Sequence, residues 1–104
     1  AEAFNFGPAE EDAKPVQWIV EQIIQSWGDG ASWHLDGGKH PHEAHYLKLD
    51  CSKARVRLGW KPRWCLTQAL QAIIVWHKVY SANQSSTAMR SLCLKQIREY
   101  SQAT

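Results

Sequence analysis

Apolar residues recur along three stretches of the chain with the spacing of an amphipathic helix. Between Val16 and Trp27 they fall at intervals of three and four residues, on one side of a helix. The same spacing recurs from Leu66 to Tyr80 and from Met89 to Tyr100. For the second stretch the following residues are predicted to face the core: Leu66, Ala69, Leu70, Ile73, Ile74, His77 and Tyr80. Helix is therefore the dominant predicted element.

Residues that begin and end helices flank these patterns. Asp12 is the expected N-cap of the first helix, because its carboxylate can accept backbone N–H groups, and Gly28 is the expected stop. Asp50 and Gly59 bracket a further short helix, Ser52 to Leu58. The pattern therefore predicts a helix with a defined start and end in the middle of the chain.

Three short segments predict β-strands: Phe4 to Phe6, Ser32 to Leu35, and Ala44 to Leu49. The expected fold class is α/β, or α+β-like, with helix dominating, a few short strands and no Rossmann sheet. A length of 104 residues fits one domain, residues 1–104. Strands and helices alternate along the chain, but the predicted strands are few and short.

Charge and cysteine content exclude several classes of protein. The net charge of +2 is low for a nucleic-acid-binding domain, and no apolar run approaches the roughly 18 residues that span a bilayer. The three cysteines form no C-x-x-C pair, which favours a reducing compartment. We therefore expect a cytoplasmic protein without nucleic-acid or membrane partners.

Six tryptophans are many for so short a chain. Each is a large apolar side chain with one donor, so this number favours a surface that packs against something else. The expected partner is another domain of the same polypeptide. The chain begins with Ala1 rather than Met, which is consistent with a part of a longer protein.

One polar cluster is a candidate for chemistry: His40, His42, Glu43 and His45. A metal site is one interpretation, but the spacing falls short of H-E-x-x-H, and no metal is expected. Recognition of anions and hydroxyl groups is a second interpretation, and a solvated polar loop is a third. No Gly-rich phosphate loop and no G-x-S-x-G motif occurs, so no catalytic residue is assigned.

Two motifs together are similar to a known family. They are Asn5-Phe6-Gly7-Pro8 and the run Asp50-Cys51-Ser52-Lys53-Ala54-Arg55 with Leu58-Gly59-Trp60-Lys61-Pro62. The chain resembles the C-terminal third of the extended short-chain dehydrogenase/reductases, the nucleotide-sugar epimerases and dehydratases. The segment Pro41 to Asp50 is most similar to the CDP-glucose 4,6-dehydratases. One departure is Cys65, which stands where relatives often carry an acidic helix cap, so a frayed helix start is expected.

The resemblance implies a C-terminal substrate-binding domain fragment of a nucleotide-sugar dehydratase, a lyase. An N-terminal Rossmann domain of the same chain would hold NAD and the catalytic groups. That enzyme would remove water from CDP-glucose to give CDP-4-keto-6-deoxyglucose, a deoxysugar precursor of bacterial surface polysaccharides. The fragment alone is expected to bind no NAD and to be inactive.

The resemblance also implies which residues bind CDP-glucose or a related nucleotide sugar. His40 and Glu43 match positions that contact diphosphate and ribose, although His40 replaces an arginine, and the phosphate role then shifts to Lys39 or His42. Val16 matches a position lining the nucleotide pocket, and His45 completes the set. Alternatives are a non-catalytic interaction or homodimerisation module and a metal-binding domain.

Overall fold

A computed structural model describes residues 1–41, 48–82 and 84–104. These residues form a 3₁₀ turn, Glu10–Asp12, and four helices: α1 (Val16–Trp27), α2 (Ser52–Leu58), α3 (Leu66–Ser81) and α4 (Ser86–Gln102). No strand occurs in the described part of the chain. The predicted α/β class with a few short strands is therefore wrong, and the described fold is all-helical.

Within the described residues, the predicted strands at Phe4 to Phe6 and Ser32 to Leu35 do not form, because they have no extended backbone to pair with. Residues 4–6 lie beside α2, whose N–H and C=O groups are largely engaged within the helix. Residues 32–35 are exposed and make no backbone hydrogen bond within the described residues. Most of the third predicted strand, residues 44–47, lies outside the described residues, and Lys48 and Leu49 are not in a strand.

The helix predictions agree with the structure at most of their ends. Helix α1 ends at Gly28, whose φ is 72°, and the Gly28 N–H donates to the Ile24 carbonyl. Helix α2 spans Ser52–Leu58 as predicted and ends at Gly59 in the left-handed conformation, with φ of 62°. The start of α1 differs: Pro15 precedes it, and Asp12 lies in the 3₁₀ turn instead of capping it.

Helix α3 is the centre of the fold. It packs against α1 on one side and against α4 on another. Its buried residues are Leu70 and Ile74, and Cys51 and Ala54 at α2 are the other buried apolar side chains of the described chain. Neither α1 nor α4 contributes a fully buried residue, so each helix is covered on one side only.

Part of the predicted inward face of α3 is open. Ile73 and Tyr80 are 49% and 61% exposed, and His77 is also exposed, contrary to the prediction. Helices α1 and α4 both contact α3, and the Gln96 side chain of α4 donates to the Ala72 carbonyl at 2.8 Å. Neither neighbour covers Ile73 or Tyr80, so these side chains face outward.

The molecule is open for its size. Its radius of gyration is 16.8 Å, whereas a compact domain of this length has about 13 Å. Its accessible surface is 8674 Å², whereas a folded monomer of 11.9 kDa exposes about 6,000 Å². No helix in the described part of the chain is long and apolar enough to cross a membrane.

Candidate functional site

Two of the five predicted substrate-binding residues lie in the described part of the chain. His40 is in the segment before residue 42, and Val16 is the first residue of α1. The other three, His42, Glu43 and His45, lie outside the described residues. Neither Val16 nor His40 lines the apolar concavity described below.

His40 is held by a local acid. Its Nε2 lies 3.2 Å from an Asp36 carboxylate oxygen, four residues earlier in the chain. The other Asp36 oxygen accepts the backbone N–H of Gly38 at 3.0 Å, which closes the turn between them. Both side chains remain largely exposed, so the imidazole is oriented and open to solvent, as a group that contacts a ligand must be.

Val16 stands free at the start of α1. Its side chain is 76% exposed, and Pro15 directly precedes it with φ of −59°. The proline ring has a helix-compatible φ and lacks the N–H that would be unsatisfied there. An exposed branched apolar side chain at this point can contact the face of a flat ring. It is not part of the buried core.

The N-terminal segment, residues 2–12, lies along α2. The Arg57 guanidinium donates to both carboxylate oxygens of Glu2 at 2.8 Å. Lys53 Nζ donates to the Ala3 carbonyl at 2.8 Å and lies 4.7 Å from the centre of the Phe4 ring. These contacts hold residues 2–4 against the side chains of Lys53 and Arg57 on α2.

The same segment continues to the residues that precede α2. Asn5 Nδ2 donates to the Asp50 carbonyl at 3.3 Å. Glu10 then forms an ion pair with Lys48 at 3.2 Å. The partners therefore run in reverse order, from residue 57 back to residue 48, as the segment runs from residue 2 to residue 10.

Asp50 organises the start of α2. Its carboxylate accepts the Ser52 hydroxyl at 2.5 Å and the Ser52 backbone N–H at 2.9 Å. These two hydrogen bonds, together with the nearby charge of Arg55, hold the pKa of Asp50 below its ordinary value, because they favour the ionised form. Cys51 occupies the N-cap position itself, so Asp50, the predicted capping acid, acts from the residue before the N-cap.

Asp12 caps a helix that is distant in sequence. Its carboxylate accepts the backbone N–H of Leu66, the first residue of α3, at 3.0 Å. The Gln68 side chain accepts the N–H of Cys65 at 3.0 Å. The expected fraying after Cys65 is therefore not what the structure shows: an acid 54 residues away replaces the missing cap. The sequence analysis recognised Asp12 as a helix cap but assigned it to the first helix, because the contact with Leu66 spans 54 residues.

Aromatic rings surround an apolar concavity between the N-terminal segment and the end of α4. Phe6 and Trp60 meet edge to face at 5.0 Å, and Trp64 and Tyr100 do so at 5.2 Å. Together with Ala69 of α3 these rings border a space of about 370 Å³. The lining is almost wholly apolar, so this concavity fits a hydrophobic occupant.

Exposed apolar residues continue from this concavity along α3 and α4. Ile73 lies one turn beyond Ala69, and Tyr80 lies two turns further on the same side of the helix. Ile97 of α4 is one turn before Tyr100 and is 60% exposed. We call this surface the open apolar face: Phe6, Trp60, Ile73, Tyr80 and Ile97.

The comparison with known proteins agrees with the motifs at Asn5 and Asp50. The chain is 52% identical to a CDP-glucose 4,6-dehydratase of Salmonella typhimurium over 105 residues. The match covers the whole of this chain and 28% of that protein, in its C-terminal part. No family model matches the chain. The resemblance to the C-terminal part of such an enzyme is therefore confirmed.

Proposed function

We propose that this chain is the nucleotide-sugar-binding C-terminal portion of a CDP-glucose 4,6-dehydratase-like enzyme. The observation that carries the proposal is the 52% identity along the entire chain. This level of identity favours the same function for this chain as for the matching portion of that enzyme. The parent enzyme is then a lyase that removes water from CDP-glucose.

We assign the binding of NAD to the remainder of the polypeptide and not to this chain. Dinucleotides bind where a strand runs through a Gly-rich turn into a helix. The described residues contain no strand, and the sequence contains no G-x-G-x-x-G motif. In our proposal NAD and the catalytic groups therefore belong to the remainder of the polypeptide, and no step of the reaction is assigned to residues of this chain.

Binding of the nucleotide sugar is assigned to the segment from His40 to His45 and to Val16. Histidine can donate to phosphate oxygens, and glutamate can accept from sugar hydroxyls. His40 supports the proposal, because it is exposed and oriented by Asp36 at 3.2 Å. His42, Glu43 and His45 complete the proposed set from sequence, with Val16 as an apolar contact for the base or ribose.

The proposed partner of the open apolar face is the remainder of the same polypeptide. The excess of accessible surface over a compact monomer is roughly 2,700 Å², from 8674 Å² against about 6,000 Å². Part of this excess belongs to the exposed residues 28–41, and part to exposed apolar side chains such as Ile73, Tyr80 and Ile97. The matching dehydratase has most of its length outside the matched part, which supplies enough chain to cover this face.

A chimeric enzyme tests the proposal. This chain replaces the matching 28% of the Salmonella typhimurium dehydratase, and dehydration of CDP-glucose is measured in the presence of NAD. We expect turnover by the chimera and none by the same enzyme truncated before the junction. A chimera that is folded by circular dichroism but does not dehydrate CDP-glucose contradicts the proposal.

Substitution of His40 in the chimera tests the proposed site. His40→Ala removes a donor to the substrate, so we expect KM for CDP-glucose to rise about tenfold with little change in kcat. His34→Ala is the matched control, because His34 is exposed and has no hydrogen-bond partner within the described residues. Equal KM values for the two variants would argue against a role of His40 in binding.

Homodimerisation is the second candidate, and the open apolar face is the observation that favours it. A second copy could cover Ile73, Tyr80 and Ile97 as well as another domain could. Light scattering on the 104-residue chain and on the chimera distinguishes the two. Dimerisation through this face by both the isolated chain and the chimera favours a homodimerisation module. Association of the isolated chain alone favours coverage of the face by the remainder of the polypeptide.

A further inference from the structure

We propose that the apolar concavity between the N-terminal segment and the end of α4 is the anchor point at which the remainder of the polypeptide docks on this chain. Its occupant is an apolar side chain, aliphatic or aromatic, with a carboxylate beside it that pairs with Lys61. The inference rests on the proposed function, in which this chain is one portion of a longer enzyme. It goes further, because it names the point of contact and the chemistry of the group that fills it.

The concavity has the lining of an anchor site. A space of about 370 Å³ is bordered by two edge-to-face ring pairs, Phe6 with Trp60 and Trp64 with Tyr100. Ala69 of α3 adds only a methyl group, which leaves room between the rings. In protein interfaces, a few residues in pockets from which water is excluded carry most of the binding energy, and tryptophan and tyrosine are enriched among them. This lining therefore fits an apolar side chain of a partner.

The ring of Phe6 is held in place by the segment that carries it. The neighbouring Asn5 donates from Nδ2 to the Asp50 carbonyl at 3.3 Å. Further along the segment, the Asp12 carboxylate accepts the Leu66 N–H at 3.0 Å. Because the segment is fixed on both sides of Phe6, the ring stays at the border of the concavity when nothing fills it.

Arg63 holds the opposite border. Its backbone N–H donates to the Tyr100 hydroxyl at 3.4 Å, and its guanidinium donates to the Ser101 and Ala103 carbonyls at the end of α4. The adjacent Trp64 meets the Tyr100 ring edge to face. The concavity is therefore formed before a partner arrives, and a preformed site avoids the cost of ordering its own groups on binding.

The charge at the rim decides which group fits. Lys61 lies between Trp60 and Pro62, which both line the concavity. It is exposed and has no hydrogen-bond or ion-pair partner among the described residues, and none of the described residues that line the concavity is acidic. Aromatic rings by themselves also suit a cation, but the ammonium group of Lys61 opposes one. The fit is therefore to an apolar side chain beside an aspartate or glutamate.

The remainder of the polypeptide is the occupant that chain length and charge favour. This chain matches 28% of the Salmonella typhimurium dehydratase, so most of that enzyme lies outside the match. A second copy fits less well, because a twofold contact brings the same patch of both copies together. The two Lys61 ammonium groups would then meet like charge instead of a carboxylate.

Labelling of Cys65 tests whether the concavity is filled. This thiol is exposed and lines the concavity, whereas Cys51 is buried. We expect a maleimide to label Cys65 about tenfold more slowly in the chimera than in the isolated chain, because a docked side chain shields the thiol. The labelled peptide is quantified by mass spectrometry, and the isolated chain is diluted until light scattering shows a monomer. Equally fast labelling in the two proteins overturns the proposal.

Val56→Cys is the matched control for the labelling. Val56 is 84% exposed on α2 and lies outside the open apolar face. A thiol at this position is expected to react at the same rate in the chimera and in the isolated chain. Slower labelling of Cys65 alone then reports on the concavity, whereas equal slowing at both positions argues against an anchor at this point.

Lys61→Glu in the chimera tests the charge at the rim. The substitution places a carboxylate opposite the carboxylate that we expect on the partner, so labelling of Cys65 should become about threefold faster. Arg90→Glu is the matched control, because Arg90 is exposed on α4, has no hydrogen-bond or ion-pair partner among the described residues and loses the same charge. Equal labelling of the two variants overturns the pairing of Lys61 with an acid.

Labelling and activity separate the failure of this inference from the failure of the proposed function. A folded chimera that protects Cys65 but does not dehydrate CDP-glucose contradicts the proposed function and supports the anchor point. An active chimera whose Cys65 reacts as fast as in the isolated chain overturns the anchor point and leaves the proposed function standing. Protection in the isolated chain that rises with concentration to the level of the chimera assigns the concavity to a second copy and also overturns the inference.

Discussion

Asp12 acts at a place that its neighbours in sequence do not reveal. The residue lies just before α1, where a short acid normally caps the following helix. Its carboxylate instead bonds the Leu66 N–H, and Pro15 leaves α1 one fewer N–H to satisfy. The acid therefore joins the N-terminal segment to the central helix, and its effect on stability is tertiary.

Substitution of Asp12 measures this link. Asp12→Ala leaves the Leu66 N–H without its acceptor, and we expect the free energy of unfolding to fall by about 1 kcal/mol, the usual cost of losing a cap. Glu11→Ala is the control, because Glu11 is exposed and forms no hydrogen bond or ion pair among the described residues. Urea denaturation of both variants decides the point: equal midpoints would contradict the cap.

Asp50 predicts a dependence of stability on pH. Its pKa is lowered in the folded chain by the Ser52 hydroxyl, the Ser52 N–H and Arg55. The ionised carboxylate therefore stabilises the fold above the ordinary pKa of aspartate, about 3.9, and this contribution is lost as the pH falls through the lowered folded value.

Urea midpoints of Asp50→Asn at pH 6 and below pH 3 test the sign of this effect. We expect the variant to lose less stability on acidification than the unsubstituted chain, because it has no carboxylate to protonate. Asp29→Asn is the control, since the Asp29 side chain has no hydrogen-bond or ion-pair partner in the described part of the chain. A variant that loses as much stability as the unsubstituted chain would refute the assignment.

At the scale of elements, helix ends follow from local chemistry. Gly59 ends α2 with φ of 62°, and its N–H bonds the Arg55 carbonyl at 3.1 Å. The backbone N–H of the next residue, Trp60, donates to the Ala54 carbonyl at 3.3 Å. The turn delivers the Trp60 ring to Phe6, so a local stop also places part of the open apolar face.

Gly59→Ala tests the cost of this turn. A Cβ at Gly59 meets no atom within 4 Å, so the penalty comes from the left-handed backbone alone. We expect a loss of about 1 kcal/mol in the free energy of unfolding. Gly37→Ala serves as the comparison, because Gly37 is equally open and has no left-handed φ. Similar urea midpoints for Gly59→Ala and Gly37→Ala would contradict the expected penalty for a side chain at the left-handed position.

At the scale of the whole molecule, the small core and the open apolar face belong together. Only four apolar side chains of the described residues are fully buried, whereas twelve large hydrophobic ones are exposed. Large exposed apolar patches often mark interaction sites, and in our proposal the remainder of the enzyme or a second copy covers this one. The open shape also includes residues 28–41, which are exposed throughout and lie outside the helices.

Self-association of the isolated chain tests this view. We expect light scattering to show concentration-dependent association, and Ile97→Glu to weaken it at least threefold by placing a charge in the apolar contact. Val56→Glu is the matched control, because Val56 is 84% exposed on α2 and outside the open apolar face. A chain that stays monomeric at high concentration, or equal effects of both substitutions, would contradict the role of the face.

The sequence by itself determined the helices and the relationship. Periodic apolar residues and stops such as Gly28 and Gly59 act within a few residues, so α1, α2 and the long helices were predictable from local pattern. The motifs at Asn5 and at Asp50 together indicated the resemblance that the 52% identity confirms. The histidine-rich segment was likewise visible as a candidate site, although its binding role remains a prediction.

Only the tertiary structure decided what the N-terminal segment and the sides of α3 do. An extended run such as Phe4 to Phe6 is a strand only if another extended backbone pairs with it, and here its neighbour is α2. The partners of Asn5 and Asp12 lie 45 and 54 residues away. Because such contacts depend on how helices pack, and packing depends on every element at once, no local pattern contains them.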